Sequence, residues 1–148
     1  MEGAIYSCPA DWEDLLPAGV RRLHRVEELA SQCWDLVAFT ETGLAQMGSL
    51  PVLCRCLLVP GTAEAALLTR IPAAQVVTYG LSPRDSLTLS SLRSPVLCVQ
   101  RALQRSDGVV IEPQEFPLRQ LPAPAERLLP LLGVRLLQMP LTRSGFPW

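Results

Sequence analysis

The sequence predicts an α/β domain built on a parallel sheet, and three observations predict it. Residues 35–40, 52–59 and 75–79 are nearly continuous apolar runs, the pattern of strands covered on both faces. Short helical or loop stretches bounded by proline and glycine separate them, as crossover connections require. The chain has 148 residues, 49% of them apolar and 18% charged, which fits one compact domain and leaves little room for a second.

The elements follow in order. Residues 4–8 read as a short strand ending before Pro9. Asp11 is placed to cap a short helix carrying Trp12, Leu15 and Leu16, which Pro17 and Gly19 stop. Residues 20–24 form a second strand. Val26, Leu29, Ala30, Cys33 and Trp34 recur at helical spacing and predict a helix over 26–34. The strand 35–40 follows at once, then a helix over 42–50 ending before Pro51. Residues 52–59 make the strongest strand. Pro60 and Gly61 punctuate it, and Thr62 is placed to cap a helix over 63–70. The fifth strand, 75–79, closes at Gly80.

After Gly80 the pattern changes. Residues 87–92 alternate, as a half-exposed strand does. Two further strands, 96–103 and 109–111 (extending toward Leu118), are joined by Arg105-Ser106-Asp107-Gly108, and Asp-Gly is a hairpin signal. Prolines 113, 117, 122 and 124 lead to a leucine-rich helix over 124–139, with Pro124 suited to its first turn and Pro130 expected to kink it. A loose tail, 142–148, ends the chain. The expected architecture is a Rossmann-like three-layer fold of about five parallel strands with an antiparallel strand extension and a C-terminal helix. It is a single domain: residues 1–82 form the parallel half, 83–120 the extension and 121–148 the helix and tail.

Composition excludes several function classes. A net charge of −1 argues against nucleic-acid binding by bulk charge. The chain has no lysine and no asparagine, so a P-loop lysine, a Schiff-base lysine and an Asn-Gly turn are all ruled out. No GxGxxG or GxSxG occurs. The start of the chain lacks a basic segment before an apolar one, and no window reaches the roughly 18 apolar residues of a membrane span. The expected location is cytoplasmic, with no membrane partner.

Cys8, Cys33, Cys54, Cys56 and Cys98 are odd in number and lack zinc or disulfide spacing. They read as reduced core thiols, with Cys54 and Cys56 on one face of their strand, and no metal or cofactor is expected. His24 is the sole histidine. It lies among Arg21, Arg22 and Arg25, a cluster read as a solvated edge paired with Glu27 and Glu28. Glu112 and Glu115, separated by a proline, need not face each other and read as solvated charges.

Ligands of such a sheet bind beyond the carboxyl ends of the strands, where strand order reverses. The residues expected there are Thr40, Glu41, Thr42, Gly43, Gly61, Thr62, Gly80 and Ser82, with Ser7, Cys8 and Tyr79 beside them. Gly61-Thr62 opening a helix would offer backbone N–H groups to an anion. Turn and capping chemistry calls for the same residue types. On this reading Gly61→Val abolishes ligand binding with modest loss of fold.

The segment Gln75-Val-Val-Thr-Tyr-Gly-Leu-Ser82, followed by Asp85-Ser-Leu-Thr-Leu-Ser-Ser91 and a strand pair ending Glu115-Phe-Pro-Leu118, resembles the end of a Mur ligase central domain. There a buried strand ending in Thr-(Tyr/Phe)-Gly leads into a small antiparallel sheet. The resemblance implies related topology only. The family's P-loop and its carbamylated lysine have no counterpart in a chain without lysine, so no functional residue carries over. The whole chain is also similar to small proteins of bacterial genomes, which implies no activity.

Two functions are compatible with these features. One is a non-catalytic interaction or regulatory protein whose leucine-rich helix leaves an apolar patch, 128–137, for a homodimer or another protein partner. The other is a module that binds a nucleotide or other anion at the strand ends.

Overall fold

The computed structural model describes residues 2–139. Its main sheet is built from β1 (Gly3–Tyr6), β2 (Val20–Leu23), β3 (Cys33–Phe39), β4 (Leu53–Pro60), β5 (Gln75–Tyr79), β6 (Leu87–Leu89), β7 (Val96–Val99) and a strand that follows the hairpin described below. The hairpin pairs β8 (Leu103–Gln104) with β9 (Val110–Ile111), and β10 (Gln114–Pro117) then returns to the main sheet. The order is β10-β7-β6-β5-β4-β3-β1-β2; strands from β2 to β6 run parallel, and β7 and β10 add an antiparallel extension. This is the expected Rossmann-like α/β architecture.

The chain first steps from β1 to β2 at the edge, then passes over β1 to β3 and continues outward through β4 and β5. Right-handed crossovers in opposite directions must use opposite faces. They do so. The 3₁₀ helix Ala10–Leu15 between β1 and β2 puts Trp12 into one core. The later crossovers, α1 (Val26–Leu29), α2 (Glu41–Gln46) and α3 (Ala65–Leu68), fall on the other face, where Leu29, Met47, Leu67 and Leu68 join a second core with Trp34, Phe39 and Val59. The reversal therefore opens between β1 and β3.

The last helix, α4 (Ala125–Gln138), returns to the first face. Its leucines Leu128, Leu131, Leu132 and Leu136 are fully buried. A helix apolar on all sides needs cover on all sides, and α4 has it. The sheet lies beneath, so close that a Cβ at Gly133 would come within 2.7 Å of Leu58 Cδ2. Outside lie the 3₁₀ helix, where the Arg135 guanidinium donates to the Leu15 carbonyl, and the hairpin, where Ser106 N–H donates to the Leu137 carbonyl at 3.0 Å. The expected apolar patch at 128–137 is thus not a surface, and α4 offers no leucine face to a partner.

Local boundaries differ for physical reasons. The helix expected over 26–34 is a single turn, because Cys33 and Trp34 extend β3 instead; the Trp34 indole N–H caps the turn by donating to the Leu29 carbonyl at 2.9 Å. α3 begins at Ala65 behind Glu64, so Thr62 caps nothing. Cys54 and Cys56 join opposite cores, as do their register partners Trp34 and Leu36. Both strands turn over together at the Asp35–Arg55 ion pair, 3.6 Å. All five cysteines are free thiols.

The segment expected as one strand over 96–103 divides into β7, which pairs with β10, and β8, which forms the Asp-Gly hairpin with β9 around Gly108 at φ +89°. β6 stops at Leu89. Pro124 precedes α4 as its N-cap and Pro130 lies inside it. The tail 142–148 falls outside the described residues. No helix among the described residues is long and apolar enough to cross a membrane.

Candidate functional site

At the reversal between β1 and β3 the structure opens a cavity of about 500 Å³, lined by Ser7, Cys8, Trp12, Thr40, Glu41, Thr42, Tyr79, Glu126 and Arg127 among others. Its floor is fastened by hydrogen bonds. Ser7 ends β1 in the left-handed region, φ 63°, a conformation that costs a residue with a Cβ on the order of 1 kcal/mol. Its N–H donates to the Leu23 carbonyl at 2.8 Å, and its carbonyl accepts the Thr40 hydroxyl at 2.9 Å. Thr40 is also the N-cap of α2, with Oγ1 accepting from Gly43 N–H at 2.9 Å. One hydroxyl thus joins β1, β3 and α2. Gly43 must be glycine, since a Cβ there would stand 2.4 Å from the Tyr6 carbonyl oxygen.

A second cavity, about 410 Å³, adjoins the first beyond β4 and β5. The two share Glu41, Tyr79 and Glu126 as walls. Tyr79 crosses from β5 to donate its hydroxyl to the Phe39 carbonyl at 2.7 Å. Gly61, Thr62, Gly80, Ser82, Arg84 and Asp85 line the remainder. Asp85 is buried, with its carboxylate seated over two glycines. A Cβ at Gly61 would lie 1.9 Å from Oδ1, and one at Gly80 would lie 2.5 Å from Oδ2. The Ser82 N–H donates to Oδ2 at 3.1 Å.

Burial sets the electrostatics. It pushes the Cys8 thiol up to about 11, with Arg22 opposing the shift, so at neutral pH this cysteine is a protonated thiol and a poor nucleophile. Burial, reinforced by Glu41, also raises the Tyr79 phenol. Around the joined cavities three carboxylates, Glu41, Asp85 and Glu126, face two guanidiniums, Arg84 and Arg127. The crevice is therefore slightly acidic, and its hydroxyls come from Ser7, Thr42, Thr62 and Ser82.

Thr40, Glu41 and Thr42 line the first cavity; Gly61, Thr62, Gly80 and Ser82 line the second. Gly43 is buried under Tyr6 as a packing residue. The anion hole expected at Gly61-Thr62 does not form. The two residues make a turn, and the Gly61 N–H is committed to the Tyr79 carbonyl at 2.8 Å. Gly61→Val is no clean test of binding either, because the new side chain would evict Asp85. His24 and Arg25 follow β2, the edge strand beside β1; they are exposed and line neither cavity. Their arginine neighbours are paired: Arg22 with Glu13 at 2.6 Å, Arg21 with Glu28 at 3.9 Å and Arg25 with Glu27 at 4.0 Å.

Sequence reasoning missed Trp12, Asp85, Glu126 and Arg127 as crevice residues. Glu126 and Arg127 open a helix far along the chain from Glu41, and no local signal joins them. For Asp85 a signal did exist: two strands end in glycine, and an acid follows the second within a few residues. Among the described residues no three His, Cys, Asp or Glu side chains cluster as a metal-ligand set. Comparison with known protein families, characterised proteins and solved structures finds no match.

Proposed function

We propose that the chain is a non-catalytic binding protein for a small polar molecule, seated in the joined crevice at the carboxyl ends of β1, β3, β4 and β5. The observation that carries this reading is the sharing of Glu41, Tyr79 and Glu126 by two cavities at the point where strand order reverses. The lining chemistry favours a ligand with hydroxyl or ammonium groups. The exposed Glu41 and Glu126 accept hydrogen bonds from such groups and, with the buried Asp85, repel a nucleotide's phosphates, while the Trp12 side chain supplies an apolar wall. The protonated Cys8 and the absence of His24 from the lining of both cavities support binding without catalysis. The alternative, a protein-interaction role through α4, is weakened by the burial of its leucines.

The test is a thermal-shift screen of the purified protein against polyols and sugars, diamines and amino alcohols, and nucleotides, repeated on Glu126→Ala. A ligand present at about a hundredfold over its Kd adds roughly 2.7 kcal/mol. The expected result is a rise with a hydroxyl- or amine-bearing compound that shrinks in Glu126→Ala, whose side chain is exposed and unneeded for the core. A screen flat for those classes, or a hit indifferent to Glu126, would overturn the proposal.

A further inference from the structure

The opposite end of the sheet holds a separate feature. Where β3, β4 and β5 begin, a small, partly open cavity of about 60 Å³ is lined by Asp35, Arg55, Gln75, Arg105 and Ser106 among others. Arg105 is only 4% exposed. The β8–β9 turn holds its backbone: Arg105 N–H donates to the Val109 carbonyl at 2.8 Å, and its own carbonyl accepts from Gly108 N–H at 2.9 Å. Its guanidinium is not comparably served. Nε and Nη1 are buried, and among the described residues neither makes a hydrogen bond. The nearest carboxylate oxygen, Asp107 Oδ1, lies 3.5 Å from Nε without hydrogen-bond geometry and already accepts the Val109 N–H at 3.0 Å.

We infer that this cavity is a binding site for a small oxyanion, held by Arg105 with Arg55 at its mouth. Arginine does not shed its proton, so burial cannot be relieved by neutralisation. On the wall opposite, the Gln75 amide is already engaged. The Gln75 amide donates to the Gln104 carbonyl at 2.9 Å, and its Oε1 accepts the Gln104 N–H at 2.8 Å. Asp107 supplies a counter-charge at 3.5 Å without the hydrogen bonds; water would supply ordinary hydrogen bonds, and an oxyanion charge-assisted ones. The lining charges agree, with two guanidiniums against the single carboxylate of Asp35, which Arg55 pairs at 3.6 Å. Size sets the class. The volume admits a few waters or one tetrahedral or carboxylate anion.

The experiment titrates the intact protein with inorganic phosphate, and separately with sulfate, at ionic strength held constant with sodium chloride, reading Tm. A saturable rise is expected, reaching roughly 5–10 °C at a hundredfold over Kd. Arg105→Met, which fills the space without the charge, should abolish the rise and match or exceed the wild type's Tm in anion-free buffer. The rise should persist in Glu126→Ala, which separates this site from the crevice at the other end. No saturable rise with either anion, or an equal rise in Arg105→Met, overturns the inference. Should Arg105→Met fail to fold, Arg55→Gln decides, because Arg55 is exposed: its phosphate midpoint should move at least about threefold higher. An unmoved midpoint would again refute the site.

Discussion

Gly61→Ala should unfold the protein more easily by displacing Asp85, and the loss should vanish when Asp85 is already gone. The added methyl would lie 1.9 Å from Oδ1 and 2.8 Å from Cγ, more than about 1 Å inside the usual carbon–oxygen contact. The carboxylate has to swing out. It then forfeits the hydrogen bond from Ser82 N–H, a charge-assisted contact worth about 1.5–3 kcal/mol. Ser82 is exposed and its N–H recovers water, so the lower part of that range applies, about 1.5–2 kcal/mol. For a chain of this length that is a fall in Tm of roughly 3–8 °C. Asp85→Ala loses the same contact and should cost a similar amount. In the double variant the methyl has room, so its loss should equal that of Asp85→Ala alone, a coupling of about 1.5–2 kcal/mol. Urea unfolding at neutral pH measures all four corners of this cycle, with unchanged m-values confirming a common unfolded state. Losses that add to within about 0.5 kcal/mol would show that Gly61 and Asp85 do not meet as described. Gly43→Ala supplies the contrast: its methyl meets the Tyr6 backbone oxygen at 2.4 Å, and no side-chain deletion can relieve it.

Thr40→Val should cost about 1–2 kcal/mol, because it removes both the cap on α2 and the bond to the Ser7 carbonyl. Thr40→Ser keeps both and should stay near wild type; a serine variant as weak as the valine one would refute the role of the hydroxyl. Stability should also fall in alkali. Burial raises the folded-state pKa of Cys8 from 9.0 to about 11 and of Cys54 from 9.0 to about 12, and it raises Cys56 and Tyr79 as well. The unfolded chain gives up those protons first. The stabilisation is therefore complete below about pH 9 and declines as pH climbs toward the folded values, by at most about 1.4 kcal/mol per pH unit for each group. Urea midpoints between pH 7 and 10.5 under reducing conditions should fall, and less steeply in Cys8→Ala. A flat profile would contradict the burial of these groups.

The parallel sheet was legible because a strand covered on both faces is apolar at successive positions, as at Leu36–Phe39 of β3 and Leu57–Val59 of β4, all fully buried. The run at 75–79 has the bounds that β5 takes, although Val76 is exposed. The short helices were legible only in part. Trp34 fits the periodicity of α1 and the alternation of β3 equally well, and its indole bond to Leu29, which no pattern records, decides for the strand. The leucines of α4 looked like an unpartnered surface because the 3₁₀ helix and the hairpin that cover them are distant in sequence. At the crevice the split has a single physical cause. The residue types that marked the strand ends are largely consumed by the fold: the Thr40 hydroxyl by Ser7 and Gly43, the Gly43 hydrogen by Tyr6, the space at Gly61 and Gly80 by Asp85. What remains free for a ligand is the rim: Glu41 and Thr42 from the start of α2, and Glu126 and Arg127 from the start of α4, all of them exposed. A strand-end pattern can thus place a crevice, while the ligand's chemistry is set by side chains that only the closed fold brings together.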